Sequence, residues 1–289
     1  MHAGVIALLD APAGRLWTSW AWEPGIVIPL LASAALYARG AIRLGGTHAL
    51  PARDTVAFTL GWLTVAIALL SPVHELSEEL FSAHMVQHEL LMALAAPLLV
   101  IGRPAFVMLS ALPRRTRLGI GAIVRTRRVR AAWRYATRPF DAWLLHGVAI
   151  WVWHLPVLFM AATRSDAVHA LQHASFLGSA LLFWWAMLHP RRRAVRGMAV
   201  IYLFTTVVHT GVLGALMTFS RSPWYPGYAS GAESWGLTPM GDQQLAGLIM
   251  WIPASAVYLI AALAIIRRWL LDSGWSVARY EQATSTGTR

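Results

Sequence analysis

The sequence predicts an all-α integral membrane protein, a seven-transmembrane helix bundle with its N-terminus outside and its C-terminus cytoplasmic. Three observations carry that prediction. The chain of 289 residues is 57% hydrophobic and only 13% charged, with a mean hydropathy of +0.53, too apolar for a soluble domain. Apolar runs of about 17–25 residues, the helical length that crosses a bilayer, fall at 23–39, 55–71, 81–101, 140–161, 167–189, 197–219 and 243–266. The charges are also sorted by side. All 24 basic residues are arginines, and with an outside N-terminus all but Arg15, Arg164 and Arg221 lie in cytoplasmic segments, as the positive-inside rule requires.

Taken in order, the first run follows an interfacial belt of Trp17, Trp20 and Trp22. The N-terminus lacks a basic stretch before its first apolar residues, so it does not read as a cleaved signal peptide. The second and third runs are joined by a short acidic loop holding His74, Glu75, Glu78 and Glu79. A basic cytoplasmic loop, about 103–138, separates the third and fourth. Within it, 105–135 alternates arginine clusters with Leu, Ile and Val, which suits an amphipathic helix on an anionic leaflet. The loop at 220–240 is rich in Gly, Pro, Trp and Tyr; it reads as a lid, a docking segment or a plain connector. Residues 1–272 form one membrane domain and 273–289 a polar, frayed tail. The pI near 11.2 fits this topology better than nucleic-acid binding, because the arginines lie between apolar runs. No cysteine is present, which excludes disulfides and thiolate metal sites.

The histidines are the unusual feature. His84 and His88 (HMVQH) and His169 and His173 (HALQH) are i, i+4 pairs, each on one helical face, and His154 stands in WVWHLP. The topology puts all five at one shallow, outward-facing depth. Ionisable side chains are costly in hydrocarbon and face a bundle interior or a water-filled cavity, so these predict a shared metal site. Interhelical hydrogen bonding by each pair is the plainer alternative. Imidazole with thioether and no thiolate favours copper, and Cu(I) in particular. Further candidate ligands are His209, His74, Met85, Met92 and Asp242. Gln87, Glu89, Gln172 and Gln243 are candidates for holding the ligands in place. His146 and His189 fall toward the cytoplasmic side, outside this layer.

The stretches HMVQHELLMALAAPLLVIGRP (84–104), WHLP (153–156), HALQHASFLGSALLFWW (169–185) and DQQLAGLIMWIP (242–253) resemble the seven-helix CtaG family of caa3-type cytochrome c oxidase assembly factors. The resemblance covers most of the chain. It implies a bacterial inner-membrane protein that is not an enzyme and has no catalytic residues. It also implies a copper cargo, a haem–copper oxidase subunit as client, and a periplasmic copper donor as a further partner. It carries over to His84, His88, His154, His169 and His173, and to Asp242 and Gln243. Glu89 departs from the pattern, standing where an apolar residue is expected. Two alternatives remain at this level. One is a b-type haem protein using the transmembrane histidine pairs; the other is a copper transporter, for which the inner half offers few ligands.

Overall fold

The computed structural model describes residues 20–45, 49–189 and 193–286, the side chains of 193–196 and 272–286 lying outside that description. Trp17, His2, His48, Arg191 and Arg192 lie outside the described residues. Among these residues the chain is helical, with no strand. Helix α1 (Pro24–Leu44) and α2 (Ala52–Leu70) form a hairpin, and α3 (Pro72–Glu79) is a short helix after Ser71. Ser71 caps α3 by accepting from the Val73 N–H at 3.2 Å, and Pro72 supplies the pre-set φ of a first helical turn.

The third apolar run is one rod in three parts: α4 (Phe81–Glu89), a π-helical stretch (Leu90–Ala95) and α5 (Ala96–Ile101). Pro97 explains the middle part. It has no N–H and its ring crowds the carbonyl four residues earlier, and a wider turn relieves both. The Met92 carbonyl within the π stretch accepts from the Trp184 indole N–H at 2.9 Å.

The basic loop is three helices rather than one: α6 (Pro104–Ala111), α7 (Arg114–Val124) and α8 (Arg127–Ala136). Only α7 and α8 lack buried residues. Helix α6 is apolar and buries Val107 and Ala111, with the Val107 carbonyl packed against Gly40 of α1, where a Cβ would not fit. The expectation of a single surface helix over 105–135 is corrected accordingly.

The fourth run is broken. Helix α9 (Pro139–Trp153) and α10 (Pro156–Ala162) meet at a bend of 80°. Pro156 drives Leu155 out of the helical region, to φ −64°, ψ 128°. Helix α11 (Asp166–Leu188), α12 (Arg193–Thr218), a 3-10 turn (Pro226–Tyr228), α13 (Ala229–Ser234) and α14 (Pro239–Thr286) complete the chain. Helices α12 and α14 pack closely, with Gly214 against the Gly247 carbonyl. The backbone of α14 continues through the expected tail to Thr286. The described part of that segment has no proline to stop it.

Five helices are long and apolar enough to cross a membrane, and the bent α9–α10 pair makes a sixth. The chain is a multi-pass membrane protein. The expected span at 167–189 is a helix throughout yet falls outside that set. His169, Gln172, His173, Ser175 and Ser179 lower its hydropathy, and several of these build the site. The apolar core lies where α4, α9, α11, α12 and α14 meet, around Phe176, Phe183, Trp184, Leu203 and Tyr258.

Candidate metal centre

The helical period puts His84 above His88 on α4, with ring centroids 4.3 Å apart, and His169 above His173 on α11, also at 4.3 Å. The two pairs face each other. His84 lies 5.4 Å from His169 and 5.8 Å from His173, and His88 lies 5.2 Å from His173. His154 completes the layer at 6.2 Å from His88, brought there by the break after Trp153. One ring nitrogen from each of His84, His169 and His173 lies within 4.8 Å of the others.

Hydrogen bonds assign two tautomers. His154 Nδ1 lies 2.7 Å from the Ile150 carbonyl, which can only accept, so Nδ1 carries the proton and Nε2 a free lone pair. His84 Nδ1 lies 3.3 Å from the Ser77 carbonyl and 3.1 Å from the Tyr228 hydroxyl. The Ser77 contact again leaves Nε2 bare. The Nε2 atoms of His84, His88, His154, His169 and His173 are all buried and without a hydrogen-bond partner among the described residues. An unpartnered buried polar atom costs about 1–3 kcal/mol, and a metal ion is one group these five nitrogens could hold.

Aromatic rings close the chamber. Phe176 lies edge-on to His88 at 4.6 Å, and Phe159 lies 5.0 Å from His84. The loop at 220–240 roofs one side of the layer. The Tyr225 hydroxyl donates to the His154 carbonyl at 2.7 Å, Tyr228 reaches His84, and both rings pack on Phe81. Burial pushes both phenols well above their usual range, so they stay neutral. The sequence left this loop as a lid, a docking segment or a plain connector, and Tyr225 and Tyr228 bring it against the histidines. The Pro226–Gly227 turn between them was the available signal that they fold back over the site.

The other candidates divide. His74 joins the rim, 6.2 Å from His169. The Gln87 amide donates to the Ala68 carbonyl at 2.8 Å and reaches His74 Nδ1 at 3.1 Å. Gln172 is buried beside His84, with neither amide atom partnered. Asp242 is no free ligand. Its two oxygens accept from the Phe81 N–H at 2.7 Å and the Ser82 N–H at 3.0 Å, capping the helix that carries HMVQH, where a carboxylate also meets the positive helix end. Gln243 braces the roof, accepting from the Trp224 N–H at 2.5 Å and donating to the Met217 carbonyl at 3.2 Å. Met85 and Met92 are buried in the apolar core. Glu89 turns away from the histidines and lines a cleft of about 220 Å³ with Pro253 and Val257 of α14. His209 leaves the layer for the neighbourhood of His146, with Gly147 against its Nε2.

The sequence matches the family described as cytochrome c oxidase caa3 assembly factor (Caa3_CtaG) over residues 35–272. Among curated proteins it is similar to "Uncharacterized protein ML1998" of Mycobacterium leprae (strain TN), 24% identical over 269 residues and 88% of this chain. The chain spans 40% of that relative's length. No solved structure matches. With a match reaching from α1 to the middle of α14 and taking in every histidine of the layer, the chain belongs to the family of cytochrome c oxidase caa3 assembly factors.

Proposed function

We propose that the chain captures copper at the histidine layer and passes it to a haem–copper oxidase subunit during assembly of that enzyme. One observation carries the reading: the rings of His84, His88, His154, His169 and His173 cluster in one layer, ring nitrogens of His84, His169 and His173 lie within 4.8 Å of one another, and all five Nε2 atoms are buried without a hydrogen-bond partner among the described residues. His84, His88, His154, His169 and His173 would hold the cargo. Neutral imidazoles suit copper, and an all-nitrogen set without thiolate favours exchange over sequestration. The thioethers of Met85 and Met92 lie in the apolar core, so the proposed ligand set is imidazole alone, which serves either oxidation state of copper. Neighbouring imidazoles let the ion change partners in steps, while the Tyr225–Tyr228 roof keeps bulk water out. No bond-making chemistry is required of the chain, so it acts as a chaperone rather than an enzyme.

In this reading all seven apolar runs span the bacterial inner membrane, α11 included, because its polar residues face the chamber. The N-terminus and the roof are periplasmic, where a copper donor would load the site. The arginine-rich α7 and α8 lie on the cytoplasmic leaflet. The test is metal content and visible spectrum on one detergent-purified sample from copper-supplemented cells. The expected result is one or two copper ions per chain and no Soret band. A Soret band with iron would give the histidines to haem. Absence of copper, together with unchanged oxidase copper in cells lacking the chain, would refute the proposal.

A further inference from the structure

Helix α11 has a second face that no other element packs against directly among the described residues. It borders a cavity of about 590 Å³ through Ala170, His173 and Ala174, with α1 and α2 forming the opposite wall. A second cavity of about 610 Å³ continues along the same face past Gly178, Leu181 and Trp185. Leu99, Pro104 and Ala105 line both. From Ala170 to Leu188 the groove follows 19 residues of unbroken helix, and His189 just beyond it closes the second cavity. At about 1.5 Å per residue that is close to 28 Å, nearly the thickness of a bilayer's hydrocarbon core. Apart from its two terminal histidines the α11 wall is apolar or small.

Two details argue for a helix as the occupant. Ala170, Ala174 and Gly178 repeat every fourth residue, the spacing that lets two helix backbones approach closely in a membrane, and no atom lies within 4 Å of where a Gly178 Cβ would be. At the outer end stands His173, which belongs to the histidine layer and also lines the groove, its Nε2 buried and unpartnered. A lipid chain would fill the groove but offer that imidazole nothing. We infer that the groove along α11, walled by the α1–α2 hairpin at one end and by α5, α6 and Trp133 of α8 at the other, docks one transmembrane helix of the client, and that His173 is the point where copper leaves the layer for a metal-accepting side chain on that helix. The inference rests on the copper-delivery reading and adds the route. The tyrosine roof covers one side of the layer, so the transfer runs sideways within the bilayer.

Leu181, half-buried on the groove wall, is a position from which a photoreactive side chain would reach an occupant of the groove. The photoreactive residue p-benzoylphenylalanine at position 181, in cells assembling the oxidase, should form an adduct that maps to a transmembrane segment of an oxidase subunit. The same residue at position 208, on the exposed face of α12, should not. Adducts with lipid alone, with a second copy of this chain, or at equal yield from position 208 would overturn the proposal. Independently, Gly178→Trp should fill the groove. The purified variant should keep its copper while the oxidase loses copper to the level of cells lacking the chain. Unchanged oxidase copper would also overturn the groove's role; should that variant fail to fold, the crosslink decides. A chain that holds no copper at all would instead sink the copper reading, and the crosslink would still report on docking.

Discussion

His146 and His154 lie on the same helical segment, and both are almost fully buried, yet they read differently. His146 has its nitrogens near the Ser179 hydroxyl at 3.1 Å and the Tyr258 hydroxyl at 3.5 Å. It is a core histidine whose hydrogen bonds are found within the bundle. His154 spends Nδ1 on the Ile150 carbonyl and leaves Nε2 bare, with its ring 6.2 Å from that of His88, whose nitrogens also have no partner among the described residues. Burial alone therefore does not separate a packing histidine from a candidate ligand. The inventory of partners does, because a bundle that could have satisfied these atoms with Ser, Thr or Tyr does so for His146.

The largest expected effect breaks that comparison directly. His84→Ala with His88→Ala should abolish copper retention with helicity intact, while His146→Ala should retain full copper; metal analysis of the purified variants checks both. Next comes Asp242→Ala. Removing the cap from α4 should cost about 1–2 kcal/mol, read as a lower midpoint of thermal unfolding in detergent. It should also weaken copper retention, because α4 carries two of the five imidazoles. His146→Phe should cost about 1 kcal/mol, the net worth of its hydrogen bonds, with copper unchanged.

The smallest effect lies at the rim. Burial raises the Glu78 carboxyl above its usual range, as do Glu75, Glu23 and Asp166, while His74 at 3.9 Å opposes the shift. The folded state thus holds this proton more tightly than the unfolded state. Stability falls as pH rises from the ordinary carboxylate range through the raised value. Glu78→Gln should flatten that fall, measured as unfolding midpoint against pH for both proteins.

Much of the site was legible because helical period alone projects it. HMVQH and HALQH each place two imidazoles on one face whatever surrounds them; the break beside His154 was not read, although Pro156 was its available signal. The meaning of Asp242 was not legible. Its carboxylate meets the Phe81 and Ser82 amides across 160 residues of chain, and nothing local distinguishes a cap from a ligand. His209 was misjudged for a related reason: its depth was readable, but its direction depends on how α12 packs against α9. The same limit applied to Glu89. Its position beside His88 puts it about 100° around the helix, and only the packing of α14 reveals what it faces. The span at 167–189 shows the converse. Its polar residues weaken the membrane signal because the site needs them.

The most direct test of the histidine layer as a copper site is X-ray absorption at the copper edge on the purified, copper-loaded chain. The account predicts a first shell of nitrogen with the outer-shell scattering of imidazole rings and no sulfur, lost in the His84→Ala, His88→Ala variant. A sulfur shell, or an imidazole signal unchanged in that variant, would contradict it.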